Sequence, residues 1–335
     1  MPTMYDVAKL AGVSQPTVSR VLNDNDTSVQ ISDETRQRVL AAVAELGYRP
    51  NILARSLRTQ KTQTLALMIA DLSNAFYHRI ARAVQDVAHL QGYEVLIFNT
   101  EHLYENELHF CEVVSRRPVD GVIMAPYHLT VEDIDKYFIP TRTPVAILGQ
   151  HLYHPEVDAV FLDDERASYE AIRWMIGERG YKDFGFLGVP DSLRPGARRF
   201  RGFQRALGEF DLSFDPRHLV ISDFSLEGGA EAAQEYLRRG NLPRAIYAIN
   251  DLMAIGLILS LQEGGARVPD DVAVLGFDDI PEARIVRPML TTIAQYPREL
   301  GRNLAMAVFE RLNHPEGYSR RAIECEFRLI VRDST

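Results

Sequence analysis

Ala11-Gly12-Val13-Ser14-Gln15-Pro16-Thr17-Val18-Ser19-Arg20-Val21-Leu22-Asn23 is the stretch on which the reading of this chain turns. Gly12-Val13 breaks one helix, and Ser14 offers an oxygen to the free N–H groups that open the next. Pro16 falls in the first turn of that helix, where its missing N–H costs nothing. Val18, Val21 and Leu22 make the inner face and leave Gln15, Thr17 and Arg20 outside. Upstream, Thr3 and Asp6 have the spacing of a capping box, with Val7, Leu10 and Ala11 as the apolar face. Downstream, a third helix starts after Ser32, carries Asp33 and Glu34 at its positive end, and stops at Gly47. Val39, Val43 and Leu46 are its expected buried residues. Two helices joined by a tight glycine turn, the second with a polar outer face, fit a helix-turn-helix, which lays that second helix in the major groove of DNA. A plain three-helix bundle with a solvated face would show the same pattern.

The outward side chains suit base reading. Arg20 can donate two hydrogen bonds to O6 and N7 of a guanine, a contact that discriminates by roughly 1–3 kcal/mol. Gln15 can read an adenine edge. Ser14, Thr17, Ser19 and Asn23 are short donors suited to phosphates, which fix register without reading sequence.

Charge points the same way. The 335 residues carry a net charge of −9, and only the first 61 are on balance basic. A basic head on an acidic body directs a polyanion to the head. The two cysteines, Cys111 and Cys325, are too few for a disulfide framework and read as buried thiols in a reducing compartment. No apolar signal core opens the chain and no run of about 18 apolar residues occurs, so a cytoplasmic protein is expected.

Tyr48 to Arg58 follows the head. Asn51 to Leu57 looks helical but is shorter than the roughly 12–15 residues a helix needs to stand alone in water. It should order only when something packs against Leu53 and Leu57. From Thr62 onward, strands read at 64–70, 94–98, 122–125, 145–148, 184–187, 245–249 and 272–276. Amphipathic helices alternate with them, for example at 76–90, 168–179 and 252–263. Such alternation means parallel sheets with helices on both faces. A second run starting near Asp164 suggests two lobes and a cleft. Ligands in such sheets bind beyond the carboxyl ends of the strands.

The head sequence Tyr5 to Asn23, with Gly47-Tyr48-Arg49-Pro50-Asn51 and Ala54-Arg55-Ser56-Leu57, resembles the lac-repressor (LacI/GalR) family of transcriptional regulators. So do Asn250-Asp251-Leu252-Met253-Ala254-Ile255-Gly256, Val268-Pro269-Asp270-Asp271-Val272, Gly276-Phe277-Asp278-Asp279 and Pro288-Met289-Leu290-Thr291-Thr292-Ile293. The resemblance spans the chain. It implies an all-α helix-turn-helix head over residues 1–47, a hinge helix and linker over 48–61, and an α/β effector and dimerisation domain over 62–335. The body would be two-lobed and like a periplasmic binding protein, with parallel sheets and helices on both faces. Its N-lobe would take residues 62–162 and 295–321, and its C-lobe 163–292 and 324–335.

The same resemblance implies operator contacts at Ser14, Gln15, Pro16, Thr17, Ser19, Arg20, Asn23, Asn51, Ala54 and Leu57. The leucine at 57 would wedge a central base step open, and an apolar wedge unstacks a step and bends the duplex. Effector contacts are implied at Phe76, Tyr77, Asp164, Arg199, Phe224, Asn250 and Asp278. Aromatic faces with Asp, Asn and Arg suit a polyhydroxylated or heteroaromatic ligand, a sugar first and a purine or nucleoside second. The chain departs from the family pattern at Ala75, where proline is common, and at Tyr181, where histidine is common.

The expected partners are palindromic operator DNA, a small-molecule effector and a second copy of the chain, with cytoplasmic, nucleoid-associated localisation. No cofactor and no metal are expected. His151 and His154 have no third ligand nearby and read as loop. No leucine heptad follows the last strand, which favours a dimer over a coiled-coil tetramer. A transport-type binding protein would need a secretion signal and no DNA head. A glycoside-cleaving enzyme would need carboxylates roughly 5–9 Å apart across a bond, which the adjacent pairs Asp163/Asp164 and Asp278/Asp279 do not by themselves supply.

Overall fold

Thr3 and Asp6 cap each other reciprocally. The Asp6 carboxylate accepts from the Thr3 backbone N–H at 2.8 Å, and the Thr3 hydroxyl accepts from the Asp6 N–H. This starts α1 (Met4–Ala11), which ends at Gly12 with φ 65°, a left-handed turn that glycine adopts without strain. Ser14 accepts from the Thr17 N–H and opens α2 (Gln15–Leu22), and Ser32 does the same for α3 (Asp33–Leu46). Val7, Ala8, Ala11, Val18, Val21, Val39 and Ala42 form the small core between the three helices. Leu10, expected on the inner face, is 46% exposed, and Ala8 takes the buried place.

The structure, a computed structural model, describes residues 2–22, 31–49, 56, 61–314 and 319–335. It divides into two units, Met1–Thr62 and Gln63–Thr335. Asn23, Asn51, Ala54 and Leu57, four of the expected DNA contacts, lie outside the described residues.

The second unit holds two six-stranded sheets. The first consists of β1 (Thr64–Ile69), β2 (Glu94–Asn99), β3 (Gly121–Met124), β4 (Val145–Leu148), β5 (Val157–Phe161) and β11 (Ala322–Glu324), in the order β2-β1-β3-β4-β5-β11. The second consists of β6 (Phe184–Gly188), β7 (Leu219–Ile221), β8 (Ala245–Ala248), β9 (Ala273–Asp278), β10 (Thr291–Ala294) and β12 (Arg328–Ile330), in the order β7-β6-β8-β9-β10-β12. The same winding is therefore made twice. In each half the order reverses beside the first strand, which opens a crevice at the carboxyl edge. Central strands such as β1 and β9 are covered on both faces and read as near-continuous apolar runs.

Helices α4 (Ala75–Leu90), α5 (Tyr104–Arg116) and α6 (Val131–Tyr137) join the strands of the first sheet. Helices α7 (Asp164–Gly177), α8 (Arg194–Glu209), α9 (Leu226–Arg239) and α10 (Asp251–Glu263) join those of the second. The chain returns to the first lobe through α11 (Pro297–Asn313), which packs on α4. All pairings are parallel except β10 with β12, where Thr292 faces Ile330 in an antiparallel edge pair. The periodic reading missed the short strands β5, β7, β10, β11 and β12. It also started α7 late, because Asp163 caps that helix at the Arg166 N–H.

Candidate functional site

Loops leaving the carboxyl ends of the strands converge between the two lobes. After β1, Asn74 caps α4 by accepting from the Phe76 N–H at 2.9 Å, which fixes Phe76 and Tyr77 at the head of the helix. After β3 comes Tyr127, whose hydroxyl meets that of Tyr77 at 2.5 Å. Burial raises the pKa of both phenols, so both stay protonated and share one hydrogen bond.

Tyr127 owes its place to Glu107. This carboxylate, fully buried on α5, accepts from the backbone N–H groups of Tyr127, His128 and Leu129 at 2.7, 3.0 and 3.0 Å. Burial raises its pKa and the three donors oppose that rise. A charge-like acceptor with three donors is a fixed anchor for the loop.

On the facing lobe, Arg199 of α8 is 7% exposed. Its Nε donates to Asp164 at 2.9 Å, its Nη1 donates to the Ile249 carbonyl, and its guanidinium lies 3.6 Å from the centre of the Phe277 ring. Asp278, at the end of β9, accepts from Gln295 Nε2 at 2.5 Å and has φ 128°, a backbone state that L side chains rarely adopt. Burial pushes the Asp278 carboxyl well up, Arg199 pulls it down, and the buried Asp251 adds to the rise. Asp251 itself is pushed to about 7 by burial, against hydrogen bonds donated by Thr292 and Ile280. Arg199 is thus one buried cation between two carboxyl groups, Asp164, to which it donates, and Asp278 behind it.

A cavity of about 60 Å³ remains here. Phe76, Tyr77, Tyr127, Asp164, Arg199 and Gln295 are among its lining residues. Four of the seven expected effector residues, Phe76, Tyr77, Asp164 and Arg199, therefore meet at one cavity. Asp278 stands one layer behind, bonded to Gln295. Asn250 does not line it: its side chain accepts from the Met253 N–H and donates to the Phe224 carbonyl, both at 2.8 Å. Phe224 stacks instead on His102 of the opposite lobe.

The sequence reading passed over Tyr127, Gln295, His151 and Arg198, which also line the cavity. Tyr127 follows a strand it had placed. Gln295 follows β10, whose Thr291-Thr292 opening shows no apolar run. The His151 loop was weighed for metal alone, and no group of three metal-ligating side chains occurs among the described residues.

In the head, Gln15, Pro16 and Arg20 are exposed on the outer face of α2, with Ser19 half-buried beside them. Ser14 and Thr17 share a hydroxyl–hydroxyl hydrogen bond of 2.8 Å, so both short donors already serve the helix start. Among the described residues no helix is long and apolar enough to cross a membrane.

Two family models match the chain. One, described as "Bacterial regulatory proteins, lacI family", covers residues 3–51, and the other, "Periplasmic binding protein-like domain", covers 175–335. The chain is 32% identical over 334 residues to catabolite control protein A of Priestia megaterium, covering 99% of each. Among solved structures it is similar to the lac repressor dimer bound to operator and the anti-inducer ONPF. That match has a TM-score of 0.85 at 25% identity and covers 99% of this chain and 98% of the other. It is also similar to the transcriptional regulator CelR–cellobiose complex, with a TM-score of 0.73 at 28% identity over the whole of both chains.

Proposed function

The chain belongs to the lacI family of bacterial regulatory proteins, and from that premise we propose a homodimeric repressor that binds palindromic operator DNA and is controlled by a sugar or sugar derivative. It acts in the cytoplasm, on the nucleoid. The division between Thr62 and Gln63 supports a DNA-binding part over 1–47, a hinge over 48–61 and an effector domain from 62 onward.

Operator bases are read by Gln15 and Arg20, with Ser14, Pro16, Thr17 and Ser19 setting the register. Asn23, Asn51, Ala54 and Leu57 complete the contact by family resemblance. Phe76, Tyr77, Asp164 and Arg199 touch the effector, and Asp278 acts on it through Gln295. Phe224 and Asn250 hold the lobes' rims rather than the ligand.

The observation that carries the effector reading is Arg199. An arginine this buried, paired to Asp164 and facing aromatic rings across a lobe boundary, is a recognition group for hydroxyls. Cellobiose in a regulator of the same fold supports a sugar. The two lobes supply two arrangements of one body. Whichever arrangement the effector prefers must change operator affinity by the same factor as DNA changes effector affinity.

A thermal-shift screen of sugars and nucleosides, followed by operator selection from random duplex, tests the proposal. A bound sugar at a hundredfold its Kd adds about 2.7 kcal/mol to stability. A sugar that stabilises the protein and shifts its affinity for a selected palindrome is the expected result. A nucleoside doing so instead would replace the sugar. No preference for any duplex would end the operator reading.

A further inference from the structure

The cleft does not end at Arg199. Beside it lies a polar recess of about 550 Å³, lined by Asp191, Ser192, Arg194 and Arg201 together with His151 and Arg198, which it shares with the cleft. His151 and Arg198 line both spaces, so one ligand can occupy cleft and recess together. Most of the free volume lies in the recess, and a ligand longer than one ring must extend there.

The polar groups at this junction are incompletely used. His151 Nε2 is shielded from solvent and has no hydrogen-bond partner, and neither has Arg198 Nε. Arg198 reaches Asp163 only at 3.4 Å, through Nη2, and its Nε stands 4.0 Å from Asp164. Arg201 is engaged by Glu165 at 3.1 Å. Arg194 is exposed at the first position of α8, close enough to His151 to act on it electrostatically, as Arg198 does. Together with burial, the two arginines hold the His151 pKa down at about 4, so the imidazole is neutral and can turn an N–H toward an anion. Asp191, exposed at the rim, is the one lining carboxylate. A buried polar atom left unpaired is costly, and here two residues lining one recess each carry such an atom, which calls for a partner from a ligand.

We propose that this recess is an oxyanion subsite and that the effector is a phosphorylated sugar, its ring in the cleft and its phosphoryl group held by Arg194, Arg198 and His151. The inference rests on the sugar reading above and refines it. Arginine suits the task because its planar fork meets two phosphoryl oxygens at once. The neutral histidine adds a donor whose protonation does not change across the physiological range.

Inorganic phosphate is the probe. Its binding to the full chain is measured by calorimetry against chloride at matched ionic strength, on the wild type and on Arg194→Gln and His151→Gln. Arg194 is exposed, so its replacement leaves folding intact; unchanged thermal stability verifies this. Saturable phosphate binding, weakened roughly tenfold by either substitution, is the expected result. It should also tighten as pH rises and inorganic phosphate passes from its singly to its doubly charged form. No binding above chloride, or binding unaffected by Arg194→Gln, overturns the subsite. The two readings fail separately. A neutral sugar that binds through Arg199 while phosphate does not would sink the subsite alone. Phosphate binding without any effect of sugars or their phosphates on operator affinity would sink the regulatory reading alone.

Discussion

His102 of one lobe lies flat on Phe224 of the other, ring centroids 4.7 Å apart and planes 16° apart. Both residues hold left-handed backbone conformations, φ 57° and 65°, and Tyr127 closes edge-on against each ring. Two strained loop residues meeting from opposite lobes form a contact that exists only while the lobes are close. The histidine is largely buried, and burial holds its pKa down to about 4 against Asp71 and Asp223, with His128 adding to the fall.

That depressed pKa sets a pH dependence. Between about pH 6.5 and 4 the unfolded chain, or an opened lobe, takes up a proton that the stacked ring refuses. Stability of the closed body therefore falls as pH drops through this window, by about 2 kcal/mol for this ring between about pH 7.5 and 5. His102→Phe keeps the stack and removes that share of the acid loss. Denaturant titrations at pH 5 and 7.5 on both proteins measure it. An identical pH response would show that the ring is not protonated on opening.

Glu107→Gln tests the anchor beneath Tyr127. Glutamine presents one oxygen and an amide that points its own N–H at backbone donors, so at least one of the three buried N–H groups loses its partner. The expected loss is about 2–4 kcal/mol, read from chemical denaturation. A loss below about 0.5 kcal/mol would mean that the loop is held by Tyr127 and its ring contacts alone.

Arg199→Met removes the guanidinium between Asp164 and Asp278 and leaves its hydrophobic stem. An unpaired buried carboxylate costs about 3–5 kcal/mol, and protonation relieves it. The raised Asp278 pKa gives the sign: its folded value already exceeds the unfolded one, and losing the cation lifts it further. The variant should therefore be less destabilised at pH 5 than at pH 8. Thermal melts at the two pH values decide, and a constant penalty would place the cost in packing against Phe277 rather than in charge.

Residues that follow long, regular strands were legible in the sequence. Phe76 and Tyr77 sit just past β1, because a run such as Thr64–Ile69 advertises its own end, while Asp164 and Arg199 were placed at the cavity by the family resemblance alone. Gln295 was not legible, since β10 opens on Thr291-Thr292 and presents no apolar run of the kind that marks the equally short β3, β4 and β8. Asn250 stands off the cavity for a physical reason. An asparagine opening a helix has its own backbone to satisfy, and here both ends of the amide are consumed by Met253 and Phe224. His102 and Arg198 depend on how two distant loops meet, which no local pattern encodes.

On the head, Arg20 and Ser14 separate reading from holding. Arg20 is exposed, and its replacement by alanine should relax preference at one base position per half-site, worth roughly 1–3 kcal/mol, with helix content unchanged. Ser14 is spent on the start of α2, accepting from the Thr17 N–H and bonding its hydroxyl. Ser14→Ala should instead cost about 1 kcal/mol of head stability and weaken all duplexes alike. Gel shifts across a set of single-base operator variants, paired with melts of each protein, tell the two apart. If Arg20→Ala weakened every variant equally, with a shallower salt dependence, the guanidinium would be a phosphate contact and base reading would pass to Gln15.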